Sequence, residues 1–190
     1  MDVYKLRDDL RGDYRSLIMA VGDPTEFNRR FDGTPMKRPW TDVTIEWTDD
    51  QSQFPKPDFP QLSSTSIPIF SSRAIDALRD LLERNGEILP TTCGGDQLFF
   101  FNVTRVIDAF DESNSEVIRY RATSEIARVA RYFFLEERLA GAVIFKIPQF
   151  PVSRVFVTDP FVERVRSTGL TGFWFPRLWS PDPKALLEYG

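Results

Sequence analysis

The chain has 190 residues, with 24 Lys and Arg against 28 Asp and Glu, and it has no histidine. The missing imidazole excludes Ser–His and Cys–His nucleophile pairs, histidine-ligated zinc and histidine general acid–base catalysis. A net charge of −4 and a pI near 5.0 lack the basic surface that drives most nucleic-acid binding and draws proteins to anionic membranes, so neither partner is expected.

Val3, Tyr4 and Leu6 form a short strand-like run, followed by the polar stretch Arg7–Arg15. Ser16–Val21 is a continuous apolar run that fits a buried strand better than a helical fragment. Gly22-Asp23-Pro24 breaks the chain there. Val43–Trp47 alternates and is rich in β-branched residues, which predicts a strand. Residues 48–68 hold Pro55, Pro57, Pro60 and Pro68 with Ser63, Ser64 and Ser66. They predict an irregular connector, extended in places.

A helix follows, capped by Ser71 or Ser72, with Ala74, Ile75, Leu78, Leu81 and Leu82 along one face. Asn85-Gly86 reads as its stop, with Gly86 in the left-handed conformation. Glu87–Pro90 reads as a strand, Gly94-Gly95 as a turn, and Gln97–Val103 as a strand. Its three consecutive phenylalanines imply burial on both faces. Val106, Ile107, Ala109 and Phe110 suggest a helical turn, and Asp111–Ser115 a loop.

Glu116–Tyr120 alternates as a strand. Residues 124–135 fit strand or helix, with Tyr132–Leu135 favouring strand. Ala142–Ile147 and Arg154–Val157 read as strands around a turn from Pro148 to Pro151. A last helix is capped by Thr158 or Asp159, has Pro160 near its first position, buries Phe161, Val162 and Val165, and stops at Gly169. Phe173–Trp179 reads as a closing strand with Pro176 at an edge or bulge. The fold class is α+β, a mixed, mostly antiparallel sheet with two or three helices and a strand-rich N-terminal part. One domain spans 1–190, with a soft division between residues 1–60 and 61–190.

One cysteine, Cys93, excludes an internal disulfide and fits a reducing compartment. The first ten residues are charged and lack the apolar core of a secretory signal. No apolar run nears the ~20 residues of a membrane span. The expected location is the cytoplasm.

Asp108, Asp111 and Glu112 form the best carboxylate cluster. They could hold a metal or act as acid and base, or they could satisfy backbone N–H groups around a turn. No second cluster supports a metal cage, so no metal, cofactor or catalytic residue is assigned. Trp40, Trp47, Phe54 and Phe59 flank the connector, with Asp49 and Asp50 as an acidic rim. These residues either pin the connector to the core or anchor a partner, with the rim facing a basic surface.

The blocks IPIFSSRAIDALRDLLERNGEILP (67–90), LFFFNVTRVIDAFDESNSEVIRY (98–120) and IFKIPQFPVSRVFVTDPFVERVRSTGLTGFWFPRLW (144–179) resemble immunity family eleven of bacterial polymorphic toxin systems. Within them the most specific pieces are Asn102-Val103 with Asp108, Asp111 and Ser115, and Phe156–Asp159 leading to Gly169–Gly172. The resemblance covers about residues 55–180. It implies a non-enzymatic protein that binds and neutralises a cognate protein toxin, and it carries over no catalytic residue. The recognising surface is then expected in residues 40–62, with the loop at 108–115 second. Two other readings stay open: a carboxylate-based hydrolase or transferase on Asp108, Asp111 and Glu112, and an interaction module outside toxin defence. The oligomeric state is not read from the sequence.

Overall fold

The computed structural model describes residues 1–9, 11–41 and 43–182. In chain order they form β1 (Val3–Lys5), β2 (Arg7–Asp8), β3 (Leu17–Met19), α1 (Pro24–Arg29), β4 (Ile45–Trp47), β5 (Ile69–Ser71), α2 (Ser72–Leu82), β6 (Gly86–Cys93) and β7 (Asp96–Val103). There follow β8 (Glu116–Arg119), β9 (Ile126–Arg131), β10 (Ile144–Phe145), β11 (Phe156–Thr158), α3 (Asp159–Ser167), β12 (Phe173–Trp174) and β13 (Arg177–Trp179). The class is α+β, and all ladders between these strands are antiparallel.

Two sheets organise the chain. One has the order β10-β11-β1-β13 and the other β5-β7-β6; β3–β4, β8–β9 and β2–β12 are two-stranded ribbons. Period-two alternation decides which side chains enter which core. In β7, Phe99 and Phe101 face a first core with α2 and α3, while Leu98 and Phe100 face a second with α1, β3 and β4. This explains the phenylalanine triplet as a strand buried on both faces. In the larger sheet, Tyr4, Ile144 and Val157 join the first core. Val3, Phe145 and Phe156 join a third, with Phe110, Tyr132, Phe134 and Trp179.

The first strand therefore sits between two of the last, so the larger sheet draws on residues from either side of position 60, whereas all three strands of the smaller sheet follow it. The ladder register runs Val3 to Thr158 on one side and Val3 to Trp179 on the other. Its hydrophobic side chains are wrapped on both faces, as a central strand requires.

The punctuation of α2 and α3 follows the sequence. The Ser71 hydroxyl accepts the Ala74 N–H at 3.1 Å, and Ala74, Ile75, Leu78 and Leu82 are buried. Gly169 ends α3 at φ 61°, with its N–H bonded to the Arg166 carbonyl and that of Leu170 to Val165. That pairing is a Schellman stop.

Five expectations need correction. Gly22-Asp23-Pro24 does not simply break the chain: the Asp23 carboxylate accepts the Thr25 N–H at 2.7 Å and Pro24 opens α1. Gly86 is not a left-handed stop. It begins β6 where a Cβ would lie 2.1 Å from the Asn102 carbonyl oxygen, so only glycine fits. Residues 106–110 are not a helical turn, because Val106 and Phe110 form isolated bridges to Lys146 and Phe134. Thr158 precedes α3 without capping it, since its hydroxyl donates to the Ala142 carbonyl at 2.6 Å. The closing strand is split at Phe175-Pro176, and the Pro176 carbonyl accepts the Lys5 N–H at 3.0 Å.

Candidate functional site

The β3–β4 ribbon has two chemically opposite ends. At one end, residues Asp49–Gln51 form a single 3-10 turn. The Gln51 side-chain oxygen accepts the Ser16 N–H at 2.8 Å and the Ser16 and Thr48 hydroxyls at 2.9 and 2.8 Å. That knot fixes the turn and leaves Asp49 and Asp50 exposed. Half-buried Phe54 lines an adjoining hollow of about 210 Å³ with Asp8, Asp9 and Asp13.

The aromatic residues expected beside this rim divide between core and surface. Trp47 is 8% exposed; its indole donates to Asp96 Oδ2 at 2.8 Å, and Lys56 reaches the same oxygen at 2.6 Å. Partial burial would raise the Asp96 carboxyl, but these two hydrogen bonds outweigh it and hold the group below its usual range. Trp40 packs on Phe27, Phe31 and Phe100 and donates to the Pro90 carbonyl at 2.7 Å. Phe59 stacks on Phe173 with centroids 4.7 Å apart. These three rings pin the connector to the core; Phe54, Asp49 and Asp50 remain at the surface.

At the opposite end of the ribbon lies a depression of about 660 Å³, its rim carrying Arg29, Arg30, Lys37 and Arg38. A smaller hollow of about 350 Å³ adjoins it through Arg30 and is walled by Met19, Val21, Phe27 and Val43. Neither was legible in the sequence, because the four cations come from two separate segments.

The loop at 108–115 spends its carboxylates locally. Asp108 pairs with Arg138 at 3.0 Å, Asp111 accepts from Asn114 at 2.6 Å, and Glu112 pairs with Arg119. Each engages a different partner, and no trio of potential metal ligands converges among the described residues. Cys93 is buried beside Trp47, and burial pushes its thiol up, away from the reactive thiolate.

Two buried polar nodes went unnoticed in the sequence. Asp58 accepts from Ser71 Oγ at 2.8 Å, Arg73 at 2.5 Å and the Thr171 N–H at 2.9 Å, locking the connector to α2 and to the turn after α3. Lys146, 2% exposed, donates to the carbonyls of Phe31 and Pro151. Burial pulls its ammonium down to about 8, against a smaller opposing pull from Asp32.

These features describe an α+β protein with charged surface depressions and with its other reactive-looking groups engaged in its own structure. A model of the Imm11 immunity protein family matches residues 23–178, and the chain belongs to that family. The match begins upstream of residue 55, so it takes in α1, β4 and the connector as well as the three blocks read from the sequence. No curated protein matches the chain.

Proposed function

We propose that this protein is a stoichiometric immunity protein that binds a cognate protein toxin and neutralises it by occupancy, in the cytoplasm of a bacterium. The observation that carries the reading is family membership across residues 23–178. Asp108, Asp111 and Glu112 each serve a separate local contact, which supports binding over catalysis. No helix among the described residues is long and apolar enough to cross a membrane.

The surface proposed for part of the contact is the exposed remainder of the connector: Asp49, Asp50 and Phe54. Held by the Gln51 knot, it offers a fixed acidic rim to a basic patch of the toxin, and such rims act mainly on association rate. Trp47 and Phe59 support that surface from beneath, while Trp40 lies under Arg30 at the other end of the ribbon.

The test is co-expression with the product of the neighbouring gene. A complex of fixed stoichiometry and growth protection that scales with immunity-protein dose are expected. Protection by a small fraction of an equivalent, lost in a folded Asp108→Asn/Asp111→Asn variant that still binds toxin, would establish enzymatic immunity instead.

A further inference from the structure

Segment 31–36 is a loop held by three polar tethers, two from buried side chains and one from half-buried Glu87. Lys146 donates to the Phe31 carbonyl, Asn102 Nδ2 donates to the Thr34 carbonyl at 2.9 Å, and Glu87 Oε2 accepts the Met36 N–H at 3.0 Å. Asn102 also donates to that Glu87 oxygen at 2.8 Å, so two tethers share one node. Burying such groups is costly unless they are paired. Here they fix a loop rather than fill a core, which preorganises whatever surface the loop carries.

That surface is the cationic depression. Arg29, Arg30, Lys37 and Arg38 form no salt bridge or side-chain hydrogen bond among the described residues. Among the described residues the rim carries one carboxylate, Asp32, which the Thr34 hydroxyl engages at 2.6 Å and its N–H at 3.0 Å, with Lys37 as a further favourable charge. Four cations against one engaged carboxylate stand out on a chain of net charge −4. Arg30 lies over the rings of Phe27 and Trp40, at 5.2 and 5.7 Å, so its guanidinium is held in place between the two hollows. The second hollow is apolar along Met19 and Val43, and Val21 beside it is 72% exposed. Asp23 and Glu26 of the α1 start line this second hollow.

We propose that this two-lobed depression around Arg30 receives an acidic segment of the protein partner, with a carboxylate in the cationic lobe and an apolar side chain in the other. It rests on the reading above that the partner is a protein toxin. Charge complementarity selects the occupant: arginines that form no ion pair among the described residues, beside a pocket with an apolar wall, make the arrangement that concentrates binding energy. A partner that bridged the ribbon would then meet acid at one end and base at the other, which fixes its orientation.

The test uses the full chain with three probes at low ionic strength: a hexaglutamate peptide, a hexalysine peptide and a six-nucleotide oligothymidylate. Titration calorimetry gives affinity, and the indole N–H resonance of Trp40 reports the site. Hexaglutamate should bind and shift that resonance. Lys37→Glu with Arg38→Glu should weaken it at least tenfold, and Asp49→Asn with Asp50→Asn should leave the resonance shift in place. Arg29→Gln is the second variant, should the double charge reversal alter the thermal melt. The proposal is overturned if hexaglutamate does not bind, if the depression variants bind it as wild type does, or if oligothymidylate binds more tightly at the same site. No toxin enters this experiment. Its failure removes the depression as a recognition site and leaves the co-expression result standing; a failed co-expression leaves the peptide affinity standing.

Discussion

The two ends of the β3–β4 ribbon carry opposite charge, yet only one of them is visible in the sequence. Asp49 and Asp50 are neighbours beside Trp47, so the acidic end reads directly from the chain. The cationic end is assembled from Arg29, Arg30, Lys37 and Arg38, brought to one rim by tethers from Lys146, Asn102 and Glu87. A charged run in sequence marks a local rim, whereas a charged depression depends on distant buried partners. The two ends are also fastened differently: a hydroxyl–amide knot at one, buried ionisable groups at the other.

The largest effect should come from the node that holds the connector. Asp58→Ala leaves the Ser71 hydroxyl and the Thr171 N–H without their common acceptor, at about 1–3 kcal/mol for each donor left unsatisfied, while the largely exposed Arg73 regains water. Denaturant midpoints for this variant should fall accordingly. A midpoint like wild type would show that the acidic end stands without its anchor.

Leu78→Ala removes a fully buried side chain of α2 from the core beneath both sheets and should cost about 2–5 kcal/mol. Because that core reaches the acidic end only through Phe59, association of the remaining folded protein with the proposed toxin should be little affected. A slower association rate would couple the ends to the core.

Lys146 sharpens the comparison through pH. Its ammonium titrates near 8 when folded and at 10.5 ordinarily. Between those values the unfolded chain binds more protons, so the stability contributed by Lys146 rises with pH across that window. The stability of wild type minus that of Lys146→Met should increase by about 1–3 kcal/mol from pH 8 to 10.5. Tyr4, pushed up to about 12 by burial and Asp159, acts oppositely above pH 10 in both proteins and cancels in the difference. A flat difference would mean that Lys146 is not buried against Phe31 and that the cationic end is less firmly held.

Asp49→Asn with Asp50→Asn should change stability by no more than about 0.5 kcal/mol, as exposed substitutions do. It should slow association with the toxin at low salt and lose that effect as salt rises. Unchanged kinetics at every ionic strength would leave the cationic depression as the candidate contact.

How much of this could be read from the chain follows from the range of the interactions. Ser71, the apolar stripe of α2, the phenylalanine triplet and Gly169 act within a few residues of themselves, and each was legible. The missed helix α1 had a local signal, since Asp23-Pro24 repeats the acidic-then-proline start of Asp159-Pro160, but only six residues follow it. Residues 106–110 carry helical spacing, yet Val106 and Phe110 are captured by isolated bridges to Lys146 and Phe134, well along the chain. The donors to the Asp58 carboxylate lie 13, 15 and 113 residues away, so no spacing rule reaches them. Trp40, Trp47 and Phe59 illustrate the same limit: an aromatic beside an acidic pair looks alike whether it anchors a partner or the connector itself.

The placement of β1 between β11 and β13 has a consequence for how the protein comes into being on the ribosome. Residues 3–5 leave the exit tunnel long before residues 156–179 and have no ladder partners until these follow. At roughly 5–20 residues per second, that interval lasts about 8–30 s. During it the nascent chain carries an unpaired apolar strand, and the larger sheet closes only once residues 156–179 have emerged. The proposed immunity would rest on chains whose larger sheet has closed, so protection should lag the emergence of the ribbon and its two charged ends until residues 156–179 have followed.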